Sequence, residues 1–298
     1  MTETETRSGF VALIGRPNVG KSTLLNRLVG FKVAAVSDKP QTTRTRIRGI
    51  LTRPEGQIIF VDTPGIHKPI HEMNERMMRA VRDAISDVDV LLLIIDVLEP
   101  FGRGDEFTLE LIKPTEKPAL LFLNKIDKLK NKAQLLPLMD RYHRAYPFRE
   151  LIPGSALTGE NVELLVEKLF EALPPGPLYY PESEVTDQPE RVLAAEIVRE
   201  KLLMVTRDEI PYETAVYTER FQDEGELLRI YCTILVERDG QKGIIIGRGG
   251  QRLKRIGSLA REELEFLFGK KVYLELHVKV RKHWRENPQI LDQLGIRG

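Results

Sequence analysis

Short apolar runs alternate with longer stretches of helical length over the first 173 residues of the chain. The runs are bounded by glycine, proline or polar residues, which is typical of strands buried on both faces of a parallel sheet. Helical stretches between such strands predict an α/β, doubly wound domain. The connection between the second and third runs is too short for a crossover and permits an antiparallel hairpin. The six runs are residues 10–14, 47–51, 58–61, 90–95, 119–123 and 151–152.

The pattern changes after residue 175. A polar, proline-rich stretch without periodicity predicts a domain linker at residues 176–189. The chain then reads as helix, strand, strand, glycine turn, helix, strand. Apolar residues hold alternate positions in both 228–236 and 274–280, so each of these strands has one buried and one solvated face. We therefore predict a domain at 1–175 and a smaller α+β domain at 190–298.

Composition limits the number of domains and the kinds of site that the chain can form, but it does not indicate a function. The 298 residues suit two domains, and 42% hydrophobic with 30% charged residues is typical of globular proteins. A net charge of +1 indicates no partner, so any basic surface must be local. We expect the one cysteine, Cys232, to be buried in a strand, and the five histidines show no zinc spacing. Residues 1–9 lack a signal-peptide pattern and no apolar run is long enough to span a bilayer, which predicts a cytoplasmic protein.

A phosphate-binding loop follows the first predicted strand. Residues 15–22 match G-x-x-x-x-G-K-[ST] in full, and a helical run comes next. Glycines let backbone N–H groups point at phosphate oxygens, and the helix amino end adds its dipole. Lys21 can bridge the β- and γ-phosphates and Ser22 can ligate Mg²⁺, whereas a chance glycine turn would lack this strand and helix. The candidate residues are Gly15, Arg16, Pro17, Asn18, Val19, Gly20, Lys21, Ser22 and Thr23.

Segments at the ends of later strands indicate that the nucleotide is GTP rather than ATP. Asp127 lies in an N-K-x-D sequence, which in Ras-like GTPases accepts hydrogen bonds from guanine N1–H and the 2-amino group. Adenine has no donors there, so a buried carboxylate would be left unpaired; the alternative is a surface turn aspartate. The serine–alanine–leucine loop is similar to one whose backbone contacts guanine O6. The candidates are Asp62, Thr63, Pro64, Gly65 and Ile66, then Asn124, Lys125, Ile126 and Asp127, then Ser155, Ala156 and Leu157.

A threonine-rich segment at 41–46 lies between the phosphate loop and Asp62. Such a segment supplies a threonine that completes the Mg²⁺ shell once the γ-phosphate is present. Thr43 is the first candidate and Thr42 the second, beside Ser22 and Asp62. We expect this segment, and the residues after Gly65, to be switches that GTP orders and hydrolysis releases.

A second glycine turn points to RNA. Residues 247–250 fit the G-x-x-G turn with which KH domains clamp a nucleic-acid backbone, although a lone G-x-x-G is usually an ordinary turn. The window 240–261 contains six Lys or Arg residues and no Asp or Glu, which favours single-stranded RNA. Trp284 could either stack on a base or cap the core. The candidates are Lys242, Ile245, Ile246, Gly247, Arg248, Gly249, Gly250, Arg252, Lys254 and Trp284.

Taken together, these motifs resemble the Era family, of the TrmE–Era class of bacterial P-loop GTPases, from about Gly9 onward. The resemblance implies a type II KH domain that binds single-stranded 16S ribosomal RNA near its 3′ end. It also implies a role in biogenesis of the small (30S) ribosomal subunit. We expect Mg²⁺ as cofactor from the chemistry of the phosphate loop, and a monomer. Peripheral contact with the inner face of the cell membrane is implied by the resemblance alone.

The chain departs from Ras chemistry at Ile66, where Ras-like enzymes carry a catalytic glutamine. Isoleucine cannot orient a water molecule. Relatives in this class use a potassium ion held partly by the phosphate-loop asparagine, here Asn18, and such an ion would offset charge between the β- and γ-phosphates. The alternative is that Asn18 only stabilises the loop. Lys21, Asn18, Thr43 and Gly65 are therefore the candidate catalytic residues.

Two other functions are weighed against a GTPase. One is a GTP-gated binding module with negligible turnover, which steady phosphate release from GTP would exclude. The other is a nucleotide kinase, which is disfavoured by the guanine-type sequence at 124–127 and by the lack of a recognisable acceptor-binding lid.

Overall fold

The first domain is a six-stranded sheet between two layers of helices. The computed structural model describes residues 6–39, 41–66, 71–206 and 213–297. The strand order is β2-β3-β1-β4-β5-β6, with β2 antiparallel to β3 and the other pairs parallel, as the sequence predicted. The elements are β1 (Arg7–Ile14), α1 (Lys21–Val29), β2 (Ile47–Arg53), β3 (Gly56–Asp62), α2 (Glu72–Asp87), β4 (Val90–Asp96), α3 (Arg103–Ile112), β5 (Ala119–Asn124), α4 (Leu135–Ala145), β6 (Glu150–Pro153) and α5 (Val162–Ala172).

Both faces of this sheet are buried. Helices α1 and α5 cover one face, and α2, α3 and α4 cover the other. In β1, Val11 and Leu13 enter one core while Ala12 and Ile14 enter the other. This explains why the strands read as continuous apolar runs. The carboxyl ends of β1, β3, β5 and β6 meet at one edge, where open α/β sheets bind ligands.

The second domain packs helices on one face of a three-stranded sheet, with β7 antiparallel and β9 parallel to the central β8. Side chains from α6 and α8 cover the predicted apolar face, which confirms the α+β assignment. Cys232 is buried in β8, and burial raises the pKa of its thiol to about 11. The elements are α6 (Glu190–Val205), β7 (Thr214–Asp223), β8 (Leu227–Val236), α7 (Asp239–Ile246), α8 (Gln251–Phe268), β9 (Lys271–Val280) and α9 (Pro288–Gln293).

Two helices, α7 and α9, were not predicted. Helix α7 contains two glycines and a run of isoleucines, which hid its period. Helix α9 is short but carries a recognisable start. Pro288 is its first residue, and the Asn287 side chain accepts hydrogen bonds from two backbone N–H groups of the first turn.

The proline-rich stretch after α5 lies along the first domain. The Gln57 side-chain oxygen accepts hydrogen bonds from the backbone N–H groups of Tyr179 and Tyr180, both at 2.9 Å. The Ile50 N–H donates to the carbonyl of Val185 at 2.9 Å. These contacts fix the path by which the chain reaches the second domain.

The two domains share a small apolar core. Met73 and Met77 of α2 pack against residues of the second domain, among them Trp284, Leu291 and Ile296. An Arg76 guanidinium nitrogen also donates to an Asp292 carboxylate oxygen at 2.6 Å and to the Ile296 carbonyl at 3.1 Å. The helix that follows the D-x-x-G sequence is thus attached to the carboxyl-terminal segment. Nowhere in the described ranges is there a helix long and apolar enough to cross a membrane.

Candidate nucleotide site and RNA surface

The phosphate loop curls between β1 and α1 around close backbone approaches. A Cβ at Gly15 would lie 2.3 Å from the Ile94 carbonyl oxygen, and one at Gly20 would lie 2.3 Å from the Asn124 side-chain nitrogen. Both glycines also have positive φ, 150° and 100°. Only glycine fits these positions. A cavity of about 330 Å³ opens in front of the loop, with Lys21 among its lining residues.

Lys21 is fixed at the floor of this cavity. Its ammonium donates hydrogen bonds to the carbonyls of Gly15, at 3.3 Å, and Arg16, at 3.1 Å. Burial lowers the pKa of the Lys21 ammonium, and the nearby Asp62 carboxylate partly offsets that effect. The loop therefore holds one positioned cation where phosphate oxygens would lie.

Ser22, Thr43 and Asp62 converge beside Lys21. The hydroxyls of Ser22 and Thr43 donate to the same Asp62 oxygen, at 2.8 and 3.1 Å, and lie 2.9 Å apart. The Thr42 hydroxyl instead donates to the Lys39 carbonyl at 2.6 Å. This geometry favours Thr43 over Thr42 as the threonine of the metal site.

The surroundings of the Asp62 carboxylate suit a divalent cation bound at this point. It is fully buried, and within the described chain its second oxygen has no hydrogen-bond partner. Burial raises its pKa, while Lys21 and the hydroxyls of Ser22 and Thr43 act in the opposite direction. A buried oxygen without a partner is costly. Mg²⁺ prefers such hard oxygen ligands, so the residues fit that ion.

The D-x-x-G sequence packs directly on the phosphate loop. A Cβ at Gly65 would lie 2.8 Å from the Pro17 Cα. The Ile66 N–H donates to the Gly15 carbonyl at 3.1 Å, and the Ile66 side chain is buried in the core. Ile66 thus presents no polar side-chain atom to the cavity. The rest of the predicted second switch, residues 67–70 with His67, lies outside the described residues, as do residues 1–5.

The predicted base-reading loops meet beside the phosphate loop. The Asn124 amide donates to the Val19 carbonyl at 2.7 Å and accepts from the Ala156 N–H at 2.9 Å. The Ser155 hydroxyl donates to the exposed Asp127 carboxylate at 2.6 Å. The Lys125 ammonium donates to the Asn18 carbonyl at 2.7 Å. Sequence motifs far apart in the chain are therefore brought together in one site.

Arg27 of α1 is a site residue that the sequence did not indicate. Its guanidinium donates to the Ala156 carbonyl at 3.2 Å and to the Leu157 carbonyl. It therefore supports the loop predicted to contact guanine O6. An arginine inside an ordinary amphipathic helix carries no signal of such a role.

The second glycine turn, residues 247–250, joins α7 to α8 and is open to solvent. A Cβ at Gly249 or Gly250 would meet no atom within 4 Å. Arg248 and Lys254 are exposed and form no salt bridge with any described residue, whereas Arg252 is half-buried and donates to the Ile244 carbonyl. Close approach of a nucleic-acid backbone is sterically possible here.

Comparison with known proteins decides the family. One family model, described as a 50S ribosome-binding GTPase, matches residues 10–125, and a KH-domain model matches residues 209–285. GTPase Era of Staphylococcus haemolyticus is 48% identical over 293 residues, covering 98% of both chains, and that of Staphylococcus epidermidis gives the same values. The chain belongs to the Era family of GTPases.

Solved Era structures have the same two-domain architecture. An Aquifex aeolicus Era variant bound to GDP·AlF4⁻ is 43% identical with a TM-score of 0.95, covering 98% of this chain and all of that one. Era in complex with MgGDPNP and nucleotides 1506–1542 of 16S ribosomal RNA gives the same values. Because Era proteins are GTPases, this chain is a GTP-hydrolysing enzyme, and the kinase and passive-switch alternatives are set aside.

Two predicted RNA contacts were wrong within this Era fold. Ile245 is fully buried in the core of the second domain because α7 is a helix, which turns successive isoleucines to different sides. Trp284 is also fully buried, and its indole N–H donates to the Glu213 carbonyl at 3.1 Å. Of the two roles considered for Trp284, the structure supports capping a core. Ile246 stays half-buried.

Trp284 also contacts the first predicted switch. The Arg44 guanidinium lies 5.8 Å from the centre of the Trp284 ring and donates to the Thr214 carbonyl at 2.6 Å. Burial lowers the pKa of Arg44 to about 9. The neighbouring Arg199 cation also lowers it, whereas the Glu196 carboxylate raises it. Arg44 is nevertheless protonated at neutral pH, so a cation from the switch is buried against the second domain.

Proposed function

We propose that this GTPase uses Mg²⁺ and K⁺, binds single-stranded 16S ribosomal RNA near its 3′ end, and assists biogenesis of the 30S subunit. The observation that carries the proposal is the joining of a complete guanine-nucleotide site to an open glycine turn in a KH domain. The solved Era complex with MgGDPNP and 16S rRNA nucleotides, which matches 98% of this chain, supports both halves.

In the nucleotide site, the loop N–H groups and Lys21 hold the phosphates, and Asp127 and a backbone N–H of the loop at 155–157 read the base. Ser22, Thr43 and Asp62 would hold Mg²⁺, which when bound neutralises charge on the β- and γ-phosphate oxygens. Gly65 packs against Pro17 of the phosphate loop, where its N–H would meet the γ-phosphate. The site acts by positioning and electrostatics, as phosphoryl transfer requires.

A potassium ion would compensate for Ile66, and Asn18 is the residue placed to hold it. Asn18 has a φ of 63°, and its amide nitrogen donates to the Asp38 carbonyl at 2.8 Å. An amide group of the phosphate loop and the Asp38 carbonyl, which lies just before the first switch segment at 41–46, thus lie together at the loop edge. The Asn18 side-chain oxygen and the Asp38 carbonyl oxygen would suit a cation that offsets charge between the β- and γ-phosphates.

We expect GTP hydrolysis to be at least about tenfold faster in potassium than in sodium at equal ionic strength, because the ion replaces part of what an arginine finger supplies. Asn18→Ala should lose this difference. The measurement is phosphate release by the full-length protein in each salt.

Asn161→Ala is the matched control for Asn18→Ala. Asn161 also has a positive φ, 60°, and its amide donates to a backbone carbonyl, that of Pro153, at 2.7 Å. The control should keep the potassium effect. Equal rates in both salts for the unmodified protein would remove the ion from the mechanism.

The RNA half of the proposal rests on the turn at 247–250 and its cations. Gly249 leaves room for a phosphate backbone, and Arg248 beside it can pair with phosphate. Lys242 and Lys254 extend the basic surface on either side. Phosphate contacts of this kind release counterions, so RNA affinity should fall as salt concentration rises.

Gly249→Asp is expected to weaken binding of single-stranded RNA with the 16S 3′-end sequence by at least about tenfold. It adds a side chain and a negative charge where the phosphates approach. Gly269→Asp is the matched control, because Gly269 has nearly the same backbone angles (φ 63°, ψ 19°) as Gly249 (φ 59°, ψ 24°) and equally open surroundings.

A fluorescence titration at several salt concentrations measures the RNA affinities. If both variants bind as the unmodified protein does, the turn at 247–250 is structural and the RNA surface lies elsewhere. Neutralising Lys270, which pairs with Asp223 at 2.6 Å, should have less effect than Gly249→Asp.

We further propose that the protein acts in the cytoplasm as a monomer. Support comes from its ligands, since GTP and ribosomal RNA meet there. Contact with the inner face of the cell membrane rests on the family resemblance and stays a prediction.

A further inference from the structure

The second domain contacts the residues on both sides of Thr43. On one side, the Arg199 guanidinium of α6 donates to the Thr42 carbonyl. On the other, Arg44 donates to the Thr214 carbonyl of β7 and lies over Trp284. The Thr43 hydroxyl between them contacts Ser22 and Asp62. Thr43, a residue of the nucleotide site, is therefore fixed by contacts that exist only when the two domains are docked.

Arg199 is built into this position rather than resting on the surface. It is 2% exposed. Its guanidinium is oriented by two hydrogen bonds from Nε and Nη2 to the Glu196 carboxylate, one turn earlier in α6. Within the described residues its Nη1 atom has no hydrogen-bond partner. Burying a guanidinium with an unsatisfied N–H is unfavourable, and buried ion pairs are weak evidence for stabilisation.

We propose that Arg199 is a positioning residue for GTP hydrolysis. By holding the Thr42 carbonyl, it keeps the Thr43 hydroxyl beside Ser22 and Asp62 while the second domain is docked. The second domain thus completes the triphosphate form of the site without touching the nucleotide. This inference rests on the proposed role of Thr43 at the Mg²⁺ site.

The proposed role of Arg199 applies to the triphosphate and not to the diphosphate. The threonine of this switch acts only when the γ-phosphate is present. Loss of the Arg199 contact should therefore weaken Mg²⁺-dependent binding of a GTP analogue and leave GDP unaffected. Releasing one ordered backbone residue corresponds to about tenfold in an equilibrium constant. A merely structural role for Arg199 would instead change both ligands equally.

The test measures binding of GDPNP and of GDP to the full-length protein as Mg²⁺ is titrated. Arg199→Ala is expected to raise the half-saturating Mg²⁺ concentration for GDPNP about tenfold, with no change for GDP. Arg199→Lys should recover part of the loss, because an ammonium can donate to the Thr42 carbonyl.

Asp292→Ala is the matched control, since it removes a different contact between the domains, that with Arg76, and leaves Thr42 alone. It should not shift the Mg²⁺ titration. If Arg199→Ala acts equally on GDPNP and GDP, or no more strongly than Asp292→Ala, the inference is overturned. Should Arg199→Ala fail to fold, Arg199→Lys carries the same comparison with a smaller expected shift.

A double-mutant cycle distinguishes failure of this inference from failure of the Thr43 assignment. Thr43→Ala alone should shift the GDPNP titration, and adding Arg199→Ala should then change nothing more. If Thr43→Ala has no effect, the proposed metal role of Thr43 fails. If Thr43→Ala shifts the GDPNP titration but Arg199→Ala still raises the half-saturating Mg²⁺ concentration about tenfold in the Thr43→Ala background, Arg199 does not act through Thr43.

Discussion

Lys21→Ala is expected to abolish tight binding of GTP. The Lys21 ammonium is the cation that the phosphate loop itself positions, buried against the Gly15 and Arg16 carbonyls. Two hydrogen bonds to phosphate oxygens, each worth roughly 1.5–3 kcal/mol because the groups are charged, would disappear. The loss should be at least about 100-fold in affinity.

Calorimetric or fluorescence titration with GTP measures this loss. Lys132→Ala is a control from the same domain, since Lys132 is an exposed residue paired with Glu160 and lies away from the phosphate loop. It should bind GTP normally. Unchanged GTP affinity in Lys21→Ala would contradict the phosphate-site assignment as a whole.

Asp127→Asn is expected to change the base preference from guanine to xanthine. The Asp127 carboxylate, already oriented by the Ser155 hydroxyl, is an acceptor only, which suits the two donors of guanine. Asparagine adds donors that match the 2-oxo group of xanthine. The mismatched guanine should lose at least about 100-fold in affinity, because its 2-amino group would face an amide donor.

Competition between GTP and XTP for the variant protein measures the preference. The same chemical change at Asp140→Asn, on the exposed side of α4 where Asp140 pairs with Arg144, is the control and should leave GTP preferred. Full GTP preference in Asp127→Asn would show that another group reads the base.

The first domain was predictable because its strands and its nucleotide motifs are each encoded in short continuous stretches of sequence. Strands such as β4 and β5 are buried on both faces and so appear as continuous apolar runs. Each nucleotide motif lies at the end of one of these strands, and a parallel sheet brings those ends together. The placement of Asp62, Asn124 and Ser155 in one site therefore followed from strand order alone.

Ile245 was misassigned because helix α7 was not recognised, whereas the placement of Trp284 depends on side chains that meet across the two domains. Trp284 lies among cations in the sequence, but the basic residues around it say nothing about α2, whose Met73 and Met77 pack against it. The contact of Arg199 with Thr42 joins residues 157 positions apart. Periodicity within a helix assigns Arg199 to a face but cannot tell which chain segment covers that face.

The buried indole gives this protein an internal spectroscopic reporter. Trp284 is the one tryptophan in the chain, and its ring lies where α2, the Arg44 guanidinium and the carboxyl-terminal segment meet. Its emission therefore arises entirely from the boundary between the GTPase and KH domains, without background from other indoles. Undocking of the domains would expose the ring to water and remove the nearby cation, so the docking of the two domains can be followed by fluorescence without any attached label.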